Sequence, residues 1–245
     1  MHTFLTEVRE TLAPGRNDRF GPLPPLLVAM TVVTGLVDAF SYLLLGHVFV
    51  ANMTGNIVFL GFAVAGAPGF SIMASVVALV SFGAGSVVGG RFAQRFGHHR
   101  GRHVAVATGT QSLLLAVSVI LALVGSHPFG PGVRYALIVV LALGMGVQNS
   151  SVRRLAIPDL TTTVLTLTVT GIGADSALGG GKGSKSGRRL ISIAAMFVGA
   201  LVGAVLIIHV HVALPLIFAL AIVVAVSGVS HWSGRSNPAW THVDE

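Results

Sequence analysis

Residues 50–66, Val50-Ala-Asn52-Met-Thr54-Gly-Asn56-Ile-Val-Phe-Leu-Gly-Phe-Ala-Val-Ala-Gly66, decide how this chain folds. The stretch is apolar, yet it falls short of the about 20 residues a helix needs to cross a bilayer. Asn52, Thr54 and Asn56 crowd its beginning. A second stretch, 160–177, has the same character and is rich in Thr and Gly. Six others, at 24–46, 70–92, 103–125, 133–152, 189–210 and 212–231, are long enough to span. Lipid offers no partner to backbone N–H and C=O groups, so spanning segments must be helical. Whether the two short stretches also cross fixes the topology.

The class itself follows from composition. The 245 residues are 53% hydrophobic and 9% charged, with a mean hydropathy of +0.85. A soluble domain carries about 25% charged residues, so this chain cannot cover a soluble surface. It reads as an integral membrane protein. The net charge of +7 is not a nucleic-acid footprint, because too little polar surface accompanies it. Cysteine is absent, which excludes disulfides, thiolate catalysis and Cys-based metal sites. Residues 1–22 mix Glu7, Arg9, Glu10, Arg16, Asp18 and Arg19 without the apolar core of a secretory signal. They read as a cytosolic polar tail, with a helical turn lying on the membrane surface. Residues 232–245 are polar, contain Pro238 and lack apolar periodicity, which predicts a disordered cytosolic tail.

Basic residues near span ends favour the cytoplasm. With the N-terminus inside and six crossings, Arg9, Arg16, Arg19, Arg91, Arg95, Arg100, Arg102, Arg153, Arg154, Lys182, Lys185, Arg188, Arg189 and Arg235 all fall inside. That leaves only Arg134, of 15 basic residues, outside. Eight crossings would put the Arg91–Arg102 and Lys182–Arg189 clusters outside. The two short stretches are therefore expected to be re-entrant, 50–66 from the outer side and 160–177 from the inner. Such backbone is tolerated at membrane depth only where protein or a watery cavity surrounds it.

The two halves, 24–125 and 133–231 within a single transmembrane domain at 23–231, resemble each other. Gly35-Leu-Val-Asp38 and Val50-Ala-Asn-Met-Thr54-Gly-Asn56 in the first have counterparts in the second. These are Gly146-Val-Gln-Asn149 and Thr162-Thr-Val-Leu-Thr166-Leu-Thr168. Gly85-x-x-x-Gly89 likewise matches Gly199-x-x-x-Gly203, a pattern that brings apolar helices into close contact. Three crossings per half make the second copy inverted. The expected fold is thus an all-α membrane protein with six spanning helices, two shorter broken segments and a 3+3 inverted-topology repeat. Folds of this kind place binding sites near the midplane, at the repeat interface.

At these motifs the chain resembles the YoaK family of uncharacterised bacterial multipass membrane proteins. The resemblance rests on Gly35-Leu-Val-Asp38-Ala39-Phe40-Ser41 and Phe49-Val-Ala-Asn52-Met-Thr54-Gly55-Asn56. The second half adds Gly144-Met145, Gln148-Asn149, Arg153-Arg154-Leu155, Pro158-Asp159-Leu160-Thr161-Thr162 and Asp175, with Leu167 where the family often carries Gly. The resemblance covers about residues 24–231 and implies a bacterial inner-membrane location, but it brings no reaction with it.

Asp38 falls near the middle of the first crossing, where an ionisable residue is costly and faces the bundle interior. Two readings stand side by side. It is a proton relay or cation-binding carboxylate, or it is a structural carboxyl capping the broken segment or bonded to Gln148 or Asn149. Asn52, Thr54 and Asn56 fall where the first re-entrant segment turns. About five extended residues from Val48 reach the midplane at about 3.3 Å each. A short helix from about Met53 then returns, and its free N–H groups attract anions. From the other side, 159–164 and a helix from about Leu165 mirror this. The same polar residues would also serve merely to satisfy backbone groups freed by the breaks.

Of Thr161, Thr162, Thr163, Thr166, Thr168 and Thr170, most are expected to bond their own helix. Gln111 reads as packing, and Gln148 and Asn149 as helix glue or substrate contact. Asp159 is expected to cap the second re-entrant helix or pair with Arg153 or Arg154, and Asp175 to pair with a loop base.

Other patterns carry less. Gly179-Gly-Gly-Lys-Gly-Ser-Lys-Ser-Gly187 does not match a phosphate-binding loop and reads as a flexible linker touching anionic lipid. His98, His99 and His103 sit among arginines, and His209 and His211 lack a neighbouring carboxylate, so no metal or other cofactor is expected. No hydrolytic constellation is present in the sequence, which argues against an enzyme. The expectation is a small-solute secondary transporter or channel, its site formed by Asp38, Asn52, Thr54, Asn56, Gln148, Asn149, Thr162 and Thr166. A non-transporting scaffold, sensor or assembly factor is the alternative. The partners are the bilayer and a small polar or anionic solute, not nucleic acid, with homo-oligomerisation open.

Overall fold

The computed structural model describes residues 2–15, 18–158, 160, 162, 165–175, 186–235 and 238–242, with His2 and Thr3 by backbone alone. The order is α1 (His2–Leu12), α2 (Leu23–Leu44), α3 (Met53–Val64), α4 (Ile72–Phe96), α5 (Arg100–Val124), α6 (Pro131–Leu155), α7 (Leu165–Ala174), α8 (Ser186–His209) and α9 (Leu214–Gly234). The protein is all-helical. Six helices, α2, α4, α5, α6, α8 and α9, are long and apolar enough to cross a membrane, while α3 and α7 are apolar but short. Asp159, Thr161, Thr163 and the stretch 176–185 with Lys182 and Lys185 lie outside the described residues.

The first short helix cannot continue α2, because the chain reverses between them. Gly46 and His47 take left-handed backbone, φ 93° and 54°, and glycine adopts that region without steric cost. The His47 Nδ1 then bonds the Gly69 carbonyl oxygen at 3.0 Å, so the end of α2 and the approach to α4 share one level. Between them, the chain runs back along α2 until Val50 and Ala51 reach Asp38, six residues below the end of the helix, or about 9 Å. From there α3 climbs back over 12 residues, about 18 Å at 1.5 Å each. The 50–66 stretch therefore enters and leaves on the same side.

The second short helix is arranged in the same way. After α6, Ala156 turns left-handed (φ 50°). Arg188, at the start of α8, donates to the Pro158 carbonyl at 3.4 Å. Just past the end of α7, Asp175 pairs with Arg189 at 2.7 Å, the loop-base pairing expected for it. The end of α6, the end of α7 and the start of α8 thus sit together.

Close packing follows the glycines. α2 lies along α8, α4 along α6 and α5 along α9, and each short helix rests on the long helix after it. A β-carbon at Gly85 or Gly146 would strike the backbone of the other helix, at Leu143 and Phe82 respectively. Gly35 and Gly199 stand in the same relation, at Met196 and Val32. Small residues let backbones approach in lipid, where no hydrophobic force drives helices together. The outward faces carry exposed Leu113, Ile120, Val124, Phe197, Leu201 and Val205, as contact with the bilayer requires.

The described parts of both polar ends are more ordered than their composition predicts. α1 is a full helix docked on α8: the Glu7 carboxylate accepts the Gly187 N–H at 2.9 Å, and Arg188 donates to Thr11 Oγ1 at 3.4 Å. The described part of the C-terminus is not disordered. Residues 239–241 form a 3-10 turn, Trp240 is buried against Gly21 and Gly101, and Arg100 donates to its carbonyl. An indole outweighs the polar composition around it, because burying one aromatic ring removes 150–250 Å² of surface from water.

Candidate functional site

A cavity of about 710 Å³ opens between the two short segments. Its wall is built from Ala51, Asn52 and the first turn of α3 (Met53, Thr54, Gly55), from Phe82 and Ser86 of α4, and from Met196 of α8. The end of α6 contributes Asn149, Ser150, Val152 and Arg153. The connection beyond it adds Ala156, Ile157, Leu160 and Thr162, and α7 begins there with Leu165 and Thr166. Five of the eight residues expected in a site therefore meet in one cavity: Asn52, Thr54, Asn149, Thr162 and Thr166.

The local chemistry of this wall is that of helix starts. The first turn of an α-helix has N–H groups with no partner inside the helix. Asn52 occupies the N-cap position of α3, but its side chain makes no capping bond, so the opening turn faces the cavity without that partner. α7 begins at the same cavity. Thr162 is buried, and its Oγ1 has no hydrogen-bond partner. Asn149 donates to the Met145 carbonyl of its own helix at 2.9 Å, as polar residues in apolar helices commonly do. Among the described lining residues one is fully charged, Arg153, and none is acidic.

The other three expected residues are engaged elsewhere. Asp38 does not reach the cavity. Its Oδ1 accepts the N–H groups of Val50 at 3.3 Å and Ala51 at 3.0 Å, while Oδ2 has no hydrogen-bond partner. Since Ala51 is part of the cavity wall, Asp38 stands directly behind that wall and holds it. Irregular backbone inside an apolar bundle has no strand or helix to pair with, and the Asp38 side chain supplies the missing acceptor. Asn56 does the same one step earlier: its Oδ1 accepts the Phe49 N–H at 2.9 Å and its Nδ2 donates to the Phe49 carbonyl. The amide thus copies the pairing of a neighbouring strand.

Gln148 is not part of the cavity wall. It accepts from Gln111 at 2.7 Å and donates to Thr34 Oγ1 at 3.0 Å, joining α5, α6 and α2. Gln111, expected to be packing, is one end of this network.

Arg153 lines the cavity as well, although the sequence marked it as an orientation charge, a partner for Asp159 and part of the family motif rather than as a site residue. It lies four residues after Asn149, and residues at that spacing share a helix face. Phe82 and Ser86 follow the same rule on α4. That spacing was the available signal.

The comparisons with known proteins agree with this architecture. A family model described as "Protein of unknown function (DUF1275)" matches residues 26–229. The chain is 32% identical over 145 residues to the UPF0700 transmembrane protein YoaK of Bacillus subtilis (strain 168). That alignment covers 59% of this chain and 63% of the relative, less than two thirds of its length. No solved structure matches.

Proposed function

The chain belongs to the DUF1275 family, and on that footing we propose that it is a small-solute secondary transporter or channel of the bacterial inner membrane. The solute binds in the cavity between the two short segments. One observation carries this reading: two broken helices begin at a single cavity of about 710 Å³. Irregular backbone at membrane depth is costly unless it lines a cavity or is buried in protein. Here it does both, with Asp38 and Asn56 bracing it on one side and the cavity on the other.

In this reading the two halves form an inverted repeat, which the pattern of helix contacts supports. The pairing of α2 with α8 and of α4 with α6 exchanges under a swap of the two halves, as do the Gly35–Gly199 and Gly146–Gly85 approaches. Binding between two such halves allows alternating access by rocking one against the other. The orientation taken is cytoplasmic for both termini, from the distribution of Lys and Arg. In this reading Asp38 is a positioning residue that acts on the site through the Val50–Ala51 segment.

The test is water access and flux. Thr54→Cys and Thr166→Cys should react with a polar, membrane-impermeant thiol reagent in vesicles of one orientation, a clean measurement in a chain without cysteine. Reconstituted protein should exchange small solutes across the bilayer. If both cysteines are inert from either side and no solute exchanges, the cavity is dry and the scaffold or sensor reading takes its place.

A further inference from the structure

We infer that a recess at the shared end of α5 and α9 holds the phosphate of an anionic lipid headgroup, bound by Arg102 and Arg235 with His99 and His231 beside them. The recess has a volume of about 290 Å³. It shares no lining residue with the cavity between the two short segments.

Its floor is bare backbone. A β-carbon at Gly101 would stand 3.2 Å from the Gly234 Cα, and one at Gly234 would stand 3.2 Å from the His99 Cε1. The two backbones therefore approach here with no side chain of their own between them. The rim is basic and comes from both helices. His99 is the N-cap of α5, and its Nδ1 accepts the Arg102 N–H at 3.1 Å, which fixes the imidazole against the first turn. His231 and Arg235 are four residues apart at the end of α9 and so share a face. A guanidinium donates paired N–H bonds to phosphate oxygens, and these charge-assisted bonds are the strong ones.

The level of the recess decides for a lipid over a free phosphate. α9 runs over 21 residues, about 31 Å at 1.5 Å each, against a hydrocarbon thickness of about 30 Å. Its last turn therefore lies among the headgroups. Trp232 marks the same level independently. It stands between His231 and Arg235 in the chain and is 77% exposed, and an indole so exposed belongs at the membrane interface. Arg102, His231 and Arg235 are exposed as well, as groups that meet a ligand arriving from the bilayer must be. Basic hollows between spanning helices take up anionic headgroups, and each Arg near the surface strengthens the attraction about fivefold.

Fluorescence of Trp232 tests this, because Trp240 is buried. The full-length protein is placed in phosphatidylcholine bilayers carrying either brominated phosphatidylglycerol or brominated phosphatidylcholine, and quenching by the two is compared. Phosphatidylglycerol should be preferred by about fivefold or more. Arg102→Gln with Arg235→Gln should bring the ratio to about one, whereas Arg91→Gln, the same charge change on α4, should keep it within about twofold of the wild type. Arg102→Lys with Arg235→Lys should recover part of the preference, which separates lost charge from misfolding. Equal quenching by the two lipids in the wild type would overturn the inference. So would a preference that Arg91→Gln lowers as far as the double Gln variant does, since the basic side would then act as a whole. Displacement of the brominated lipid by millimolar glycerol phosphate would assign the recess to a soluble phosphate and overturn the lipid. Asp244 and Glu245 follow His242 in the chain and are rival occupants. A lipid preference that appears only in Asp244→Asn with Glu245→Gln would give the recess to them instead.

Discussion

Asp38→Ala should loosen the first short segment, and the amount follows from its bonds. The substitution strands the N–H groups of Val50 and Ala51, both buried residues bonded to Oδ1. Each unpaired buried donor costs about 1–3 kcal/mol, so the loss is about 2–6 kcal/mol. Part is returned, because Oδ2 is itself buried without a partner and its removal relieves a penalty of about 1–3 kcal/mol. The net cost is about 1–3 kcal/mol. Asp38→Asn keeps an acceptor at the Oδ1 position and leaves its amide nitrogen where Oδ2 stood, so it should cost far less.

The alanine variant should therefore unfold several degrees below the asparagine variant, at about 2–4 °C per kcal/mol for a chain of this size. A local readout is sharper. Val50 is 0% exposed and is not part of the cavity wall, so a cysteine placed there reacts only when the segment opens. Each 1.4 kcal/mol changes an opening equilibrium about tenfold, so Asp38→Ala should speed labelling of Val50→Cys about 5- to 100-fold over Asp38→Asn. If the two variants label at the same rate and melt together, Asp38 does not hold the segment, and the structural role assigned to it is wrong.

The remaining expectations concern packing. Gly85→Ala should cost about 1–3 kcal/mol or more by overpacking against Leu143, whereas Gly83→Ala, with open space around it, should be near neutral; denaturation in mixed micelles compares them. Gln148→Leu alone removes the acceptor of the Gln111 amide, while Thr34 keeps its bond to the Met30 carbonyl, and should destabilise by about 1–3 kcal/mol. The double variant with Gln111→Leu should recover part of that, and a strictly additive double-mutant cycle would show that the three-helix network is not coupled. Trp240→Ala should free the C-terminal turn from Gly21 and Gly101 and raise trypsin cleavage after Arg235, with the melting of the helical bundle nearly unchanged; unaltered cleavage would mean that the indole does not anchor the tail.

The spanning helices were legible in the sequence to within a few residues. The stretch read as 24–46 is Leu23–Leu44, and 212–231 is Leu214–Gly234. Bilayer thickness and backbone hydrogen bonding act on each segment by itself, so hydropathy and length suffice to find them. The same local reasoning set apart 50–66 and 160–177 as too short to cross, and put the start of the short helices at Met53 and Leu165, where they lie.

What it could not do was assign the polar residues at depth. Asn52 and Asn56 stand one turn apart in the same motif, yet the first lines the cavity and the second pairs with Phe49. Gln148 and Asn149 are adjacent, yet Gln148 binds α5 and α2 while Asn149 lines the cavity. A polar group in an apolar segment must find a partner, and the sequence states that need without naming who meets it. The partner depends on where the reversed chain from His47 to Ala51 runs, which brings Asp38 against its own downstream backbone. Only the tertiary structure fixes that path, and with it Arg153 as part of the cavity wall.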